Sequence, residues 1–135
     1  MKSRWIAVVI SLMHFAASMA QDSLMRYFHP SGTLSSEGIM VNGVPEGWWR
    51  SYHPNGMLRS EGGRRGGQLD STWRFYDSKG RLEAEIPYKE DKKEGLVRRF
   101  DTSGTLLSEE PYRGDLREGI ARYYRPDGSL HREVP

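Results

Sequence analysis

The chain has 135 residues, 36% of them hydrophobic and 28% charged, no cysteine, and a formal net charge of +2. Without cysteine there is neither a disulfide framework nor an acylated cysteine anchor. The charge excess comes from Lys2 and Arg4; beyond residue 20 the chain carries 18 basic and 18 acidic side chains, and this balance gives no bulk-charge argument for a nucleic-acid or anionic-membrane partner.

Residues 1–20, "MKSRWIAVVISLMHFAASMA", combine a basic start, an apolar run from Trp5 to Ala17, and small residues Ser18 and Ala20 flanking Met19. That layout predicts a signal helix cleaved between Ala20 and Gln21. The apolar run is short for a membrane span, so no span is expected after cleavage, and the periplasm or the extracellular space is the expected location.

From residue 25 to residue 135 the sequence repeats. A turn glycine recurs every 24 residues, at Gly32, Gly56, Gly80, Gly104 and Gly128. Four other columns keep the same step. They are an aromatic (Phe28, Tyr52, Tyr76, Phe100, Tyr124), a leucine (Leu34, Leu58, Leu82, Leu106, Leu130), a glutamate (Glu37, Glu61, Glu85, Glu109, Glu133) and an arginine (Arg26, Arg50, Arg74, Arg98, Arg122). A weaker column holds Gly47, Ser71, Gly95 and Gly119. A fixed period of this kind marks a repeat architecture, here about four and a half units.

Each unit reads as two strands and two turns. "WWRSY" and "TWRFY" favour strands and are too short for a stable helix, while "HPNG", "DSKG", "DTSG" and "RPDG" place turn residues where a type I turn closed by a left-handed glycine needs them. The second connection, as in "YKEDKKEG", reads as a longer charged loop ending on the weaker glycine column. A bulged first turn sets Tyr52 opposite Leu58, Tyr76 opposite Leu82 and Phe100 opposite Leu106. It also sets Arg50 opposite Ser60, Arg74 opposite Ala84 and Arg98 opposite Ser108, avoiding like charges across the strands. The other face then carries Trp49, Trp73, Val97 and Ala121 beside the glutamates. The expected fold is all-β: an elongated antiparallel meander of hairpins, each adding roughly 10 Å to a ribbon on the order of 45 Å long. Pro87 and Pro111 fall inside the second strand, where proline cannot donate to a ladder; either the strand ends before them or the ribbon bends there.

These columns resemble the MORN repeat, in the variant form found in the YwqK family of antitoxin-labelled proteins. The residues carrying the likeness are "YHPNGMLRSE", "STWRFY", "EGWWRSY" and "KEDKKEG", and it covers residues 25–135. It implies a hairpin sheet used for binding, scaffolding or toxin neutralisation, and no chemistry.

The search for chemistry agrees. His29 and His53 are one repeat apart, about 10 Å, too far to share a metal ion, and read as turn openers. The glutamate column offers each carboxylate the same surroundings, whereas an acid/base pair needs two different ones. Ser51, Ser60 and Ser108 have no His and Asp at suggestive spacing, and "GGRRGG" (62–67) reads as a turn with two exposed arginines. No catalytic residue, metal ligand or cofactor is expected.

The aromatics carry what functional signal there is. Trp48, Trp49, Trp73, Tyr52 and Tyr76 are the candidate binding residues, because Trp and Tyr are common interface anchors and stack on sugar rings. The expected function is a non-enzymatic exported scaffold that binds a protein through the face bearing Trp49 and Trp73. Antitoxin or immunity function, and cell-wall glycan binding, are the alternatives.

Overall fold

The computed structural model describes residues 22–135, and the expected signal helix lies outside them. The strands are β1 (Asp22–Phe28), β2 (Leu34–Val41), β3 (Val44–Tyr52), β4 (Leu58–Arg65), β5 (Gln68–Tyr76), β6 (Leu82–Lys89), β7 (Lys92–Lys93), β8 (Gly95–Phe100), β9 (Leu106–Arg113), β10 (Leu116–Arg117), β11 (Ala121–Tyr124) and β12 (Leu130–Val134). They form one antiparallel sheet in sequential order, in which the short β7 and β10 continue into β8 and β11. Every strand pairs with its chain neighbour, as a meander of hairpins requires.

Two kinds of turn alternate. In the first, Gly56 N donates to the His53 carbonyl at 2.9 Å and His53 N donates to the Met57 carbonyl at 2.8 Å, while Gly56 sits at φ +86°. This is the expected type I turn with a bulged glycine. The same pair of bonds recurs at His29/Gly32, Asp77/Gly80, Asp101/Gly104 and Arg125/Gly128.

One pair further on lies a second bulge that the sequence reading did not anticipate. Tyr52 faces Leu58 as expected, but Ser51 faces Ser60 and Arg50 faces Glu61, so Arg59 is an extra residue on β4. The shift repeats in all five hairpins. Arg50, Arg74 and Arg98 therefore oppose Glu61, Glu85 and Glu109, not Ser60, Ala84 and Ser108. A one-residue shift exchanges faces. The glutamates lie on the face of the arginines and the tyrosines, and Trp49, Trp73, Val97 and Ala121 lie on the opposite one.

The second connection is also shorter than expected. Asn42–Gly43, Gly66–Gly67, Glu90–Asp91 and Gly114–Asp115 are two-residue turns with positive φ at both positions, the type I′ geometry that matches strand twist. The weaker glycine column does not close these turns: Gly47 and Ser71 lie inside β3 and β5, Gly95 opens β8, and Gly119 lies between β10 and β11. Gly47, Ser71, Gly95 and Gly119 all have positive φ, at 67°, 75°, 122° and 106°, beside interruptions in the ladder to the preceding repeat. Pro87 and Pro111 sit at these interruptions, against Gly95 and Gly119, and their carbonyls accept from Glu94 N and Glu118 N at 2.9 and 3.0 Å. Of the two options for the prolines, the strand runs through them at a bulge, where a missing N–H leaves no ladder bond unmade.

The buried apolar residues are all on the tryptophan face: Trp49, Trp73, Ala84, Ile86, Val97 and Ala121. Their packing follows a size rule along the repeat. A Cβ on Gly38 would lie 2.2 Å from the Trp49 ring, and one on Gly62 would lie 2.4 Å from the Trp73 ring. In the next unit the position equivalent to Gly62 is Ile86, and the one equivalent to Trp73 is Val97. Large over absent and medium beside medium fill the same space, as close packing demands.

Candidate functional site

The charged face is a ladder. Within each repeat the arginine Nε contacts the glutamate carboxylate: Arg26–Glu37 at 3.2 Å, Arg50–Glu61 at 3.4 Å, Arg74–Glu85 at 3.2 Å, Arg98–Glu109 at 3.0 Å and Arg122–Glu133 at 2.8 Å. Between repeats the tyrosine hydroxyl reaches back to the preceding glutamate. Tyr52 donates to Glu37 at 2.8 Å, Tyr76 to Glu61 at 3.3 Å and Tyr124 to Glu109 at 3.0 Å; at the fourth junction Phe100 has no hydroxyl to offer Glu85. The Tyr52 hydroxyl and then Arg26 hold Glu37 below the ordinary carboxylate range, and Arg98 followed by Tyr124 does the same for Glu109. Burial, followed by the partner glutamate, pushes Tyr52 and Tyr124 up. Carboxylates held ionised by equivalent partners are structural ties.

The turns are tied in the same way. His29 Nε2 donates to the Tyr52 carbonyl and His53 Nε2 to the Tyr76 carbonyl, both at 2.9 Å. Each opens its own turn and clamps it to the following repeat. On the opposite edge Asp91 Oδ1 accepts from Leu69 N and Asp115 Oδ1 from Lys93 N, each at 2.7 Å. Among the described residues no three His, Asp or Glu side chains are grouped to hold a metal ion.

The candidate binding residues separate. Trp49 and Trp73 are 8% and 6% exposed. They flank the Arg64 guanidinium, whose carbon is 5.9 Å from the Trp49 ring centroid and 5.5 Å from that of Trp73, and their indole N–H groups donate to the carbonyls of Glu46 and Gly63. Together with Tyr27, Met40 and Pro45 they line a hollow in which little indole surface is left to a partner. Tyr52 and Tyr76 are half-buried, with their hydroxyls in use.

Trp48 is different. It lies on the charged face, is 45% exposed, and donates from Nε1 to Glu61 at 3.2 Å. Leu24 and Ile39, paired across β1 and β2 and 54% and 36% exposed, join it around a shallow depression edged by Glu37 and Arg50. An apolar centre with a charged edge is the make-up of an interface patch. Sequence reading favoured the face of Trp49 and Trp73 for binding; those two indoles instead pack on Gly38 and Gly62, and Trp48, on the other face, is the one left open.

Comparison with family models matches residues 45–62, 69–90 and 93–113 to the MORN repeat variant. The chain carries MORN repeats of the variant form. The matched MORN segments fall on the three central hairpins, β3–β4, β5–β6 and β8–β9; by column, β1, β2, β11 and β12 continue the same pattern outside the matched segments. No curated protein and no solved structure matches the chain. MORN repeats make a repeat protein of a kind that often mediates binding, and Trp48, Leu24 and Ile39 form one exposed apolar patch on the charged face.

Proposed function

We propose that this chain is an exported bacterial scaffold without enzymatic activity, which binds a protein partner through the patch of Trp48, Leu24 and Ile39. The observation that carries the reading is the half-exposed indole of Trp48 at the centre of that patch, since a Trp ringed by charge is a common anchor of protein interfaces. The export reading rests on the "MKSRWIAVVISLMHFAASMA" segment. An envelope protein is the partner this location favours; neutralisation of an exported toxin of the kind suggested by the YwqK likeness would be one form of the same binding.

The test is capture of partners from an envelope extract by wild-type chain and by Trp48→Ala. Loss of a specific partner with W48A, at unchanged sheet content by circular dichroism, is the expected result. Equal recovery with both chains would refute the Trp48 patch. Sedimentation with purified peptidoglycan instead of a protein would move the reading to a glycan ligand, and an N-terminus at Gln21 in the secreted chain checks export separately.

A further inference from the structure

The ladder ends unequally at its two edges. Inside the sheet every glutamate of the repeating column faces two arginines, one from its own repeat and one from the next: Glu37 faces Arg26 and Arg50, Glu61 faces Arg50 and Arg74, Glu85 faces Arg74 and Arg98, and Glu109 faces Arg98 and Arg122. Glu133 on β12 faces only Arg122, and Arg26 on β1 faces only Glu37. The Glu133 side chain is accordingly 45% exposed, against 17–22% for the four internal ones. One edge of the sheet thus presents a carboxylate that lacks its second arginine. The other presents an arginine that lacks its second carboxylate.

The apolar face ends in the same complementary way. At internal junctions the first strand of a repeat packs on the last strand of the repeat before: Trp49 on Gly38, Trp73 on Gly62, Val97 with Ile86. By column, the member left over on β12 is Val134 and the member left over on β1 is Met25, both partly exposed and both apolar. Both strands also present unpaired backbone, since each ends the sheet among the described residues. Open edges of this sort are templates for another strand.

We propose that the occupant of each edge is a second copy of this chain, joined head to tail, with β12 of one copy pairing antiparallel to β1 of the next in the register of the internal junctions. Glu133 then faces Arg26 of the next copy, Val134 packs beside its Met25, and Arg132 lies across from its Tyr27, the positions that Ser108 and Tyr123 occupy at the preceding junction. Pairing of like edges is disfavoured, because β1 against β1 brings arginine ends together and β12 against β12 brings glutamate ends together. A contact between two different surfaces does not close on itself in a pair, so the product is a series of oligomers rather than a dimer.

Sedimentation of the purified full chain tests this, with its N-terminus read by mass spectrometry so that a retained leader, which bears on the export reading alone, is recognised. The wild type is expected to show a weight-average mass that rises with concentration past that of a dimer. Met25→Lys blocks one edge and Val134→Lys the other, so each variant alone is expected to be monomeric. An equimolar mixture is expected to form dimers and stop there, because one copy keeps its β12 edge and the other its β1 edge; such recovery is possible only if both variants fold. A monomeric wild type would overturn the proposal, and so would dimers of either variant alone or a mixture that stays monomeric.

Discussion

The Tyr52 hydroxyl donates to Glu37 Oε1 at 2.8 Å across the boundary between two repeats. The same carboxylate holds Arg26 from its own repeat, so one side chain fastens each hairpin internally and to its neighbour. Nearest-neighbour ties of this kind are what a fold without a central core depends on.

Removing one tie and adding another should move stability in opposite directions. Tyr52→Phe is expected to cost about 1 kcal/mol, the net value of a partly exposed hydrogen bond to a charge. Phe100→Tyr should gain up to about 1 kcal/mol by giving Glu85 the hydroxyl its counterparts already have. Urea denaturation of both variants against the wild type measures the difference, and a destabilised F100Y would show that the column is not equivalent at that junction.

The glycines under the indoles should be intolerant of a single methyl. Gly62→Ala places a Cβ 2.4 Å from the Trp73 ring, and overpacking is expected to cost about 1–3 kcal/mol. Gly62→Ile combined with Trp73→Val reproduces the Ile86 and Val97 arrangement and should recover part of that loss. A double-mutant cycle on denaturation midpoints reads the coupling directly.

Ser71 takes a glycine's place at φ +75° and accepts a hydrogen bond from Gly63 N at 3.1 Å. Ser71→Gly releases left-handed strain of about 1 kcal/mol while losing that bond, so a near-neutral effect is expected. Ser71→Ala keeps the strain and loses the bond, and should be the less stable of the two by about 1 kcal/mol. Thermal melts of the two variants decide it.

Stability should fall at both ends of the pH scale. Glu37 and Glu109 are held below their ordinary range, so the folded state binds fewer protons than the unfolded one. Their contribution is complete above the unfolded value of about 4.3 and is lost as pH drops through the lower folded value. Tyr52, Tyr76 and Tyr124 are pushed up, chiefly by burial, so their contribution holds below about pH 10 and is lost as pH climbs through the folded value. Denaturation midpoints across pH check both limbs; Tyr52→Phe should flatten each of them.

Much of this was readable in the chain itself. Five columns at a 24-residue step can be satisfied only by stacked equivalent units, and turn glycines spaced with Phe, Tyr and Leu specify hairpins, because strand period and turn chemistry are local properties. The pairing of Tyr52 with Leu58 followed from the turn alone. The tertiary structure decided the rest. The extra residue at Arg59 depends on how two whole strands fit, and no local signal announces it; yet that shift moves the glutamates to the arginine side, buries Trp49 and Trp73, and leaves Trp48 facing solvent. Likewise "VNGV" and "RGDL" are two-residue turn signals, but pairing runs on past them, through β3 and through β10 to Arg117, only because neighbouring repeats supply the backbone partners. Which side chain recurs is written in one dimension, whereas which side of a sheet it faces is settled by the sum of every bulge before it.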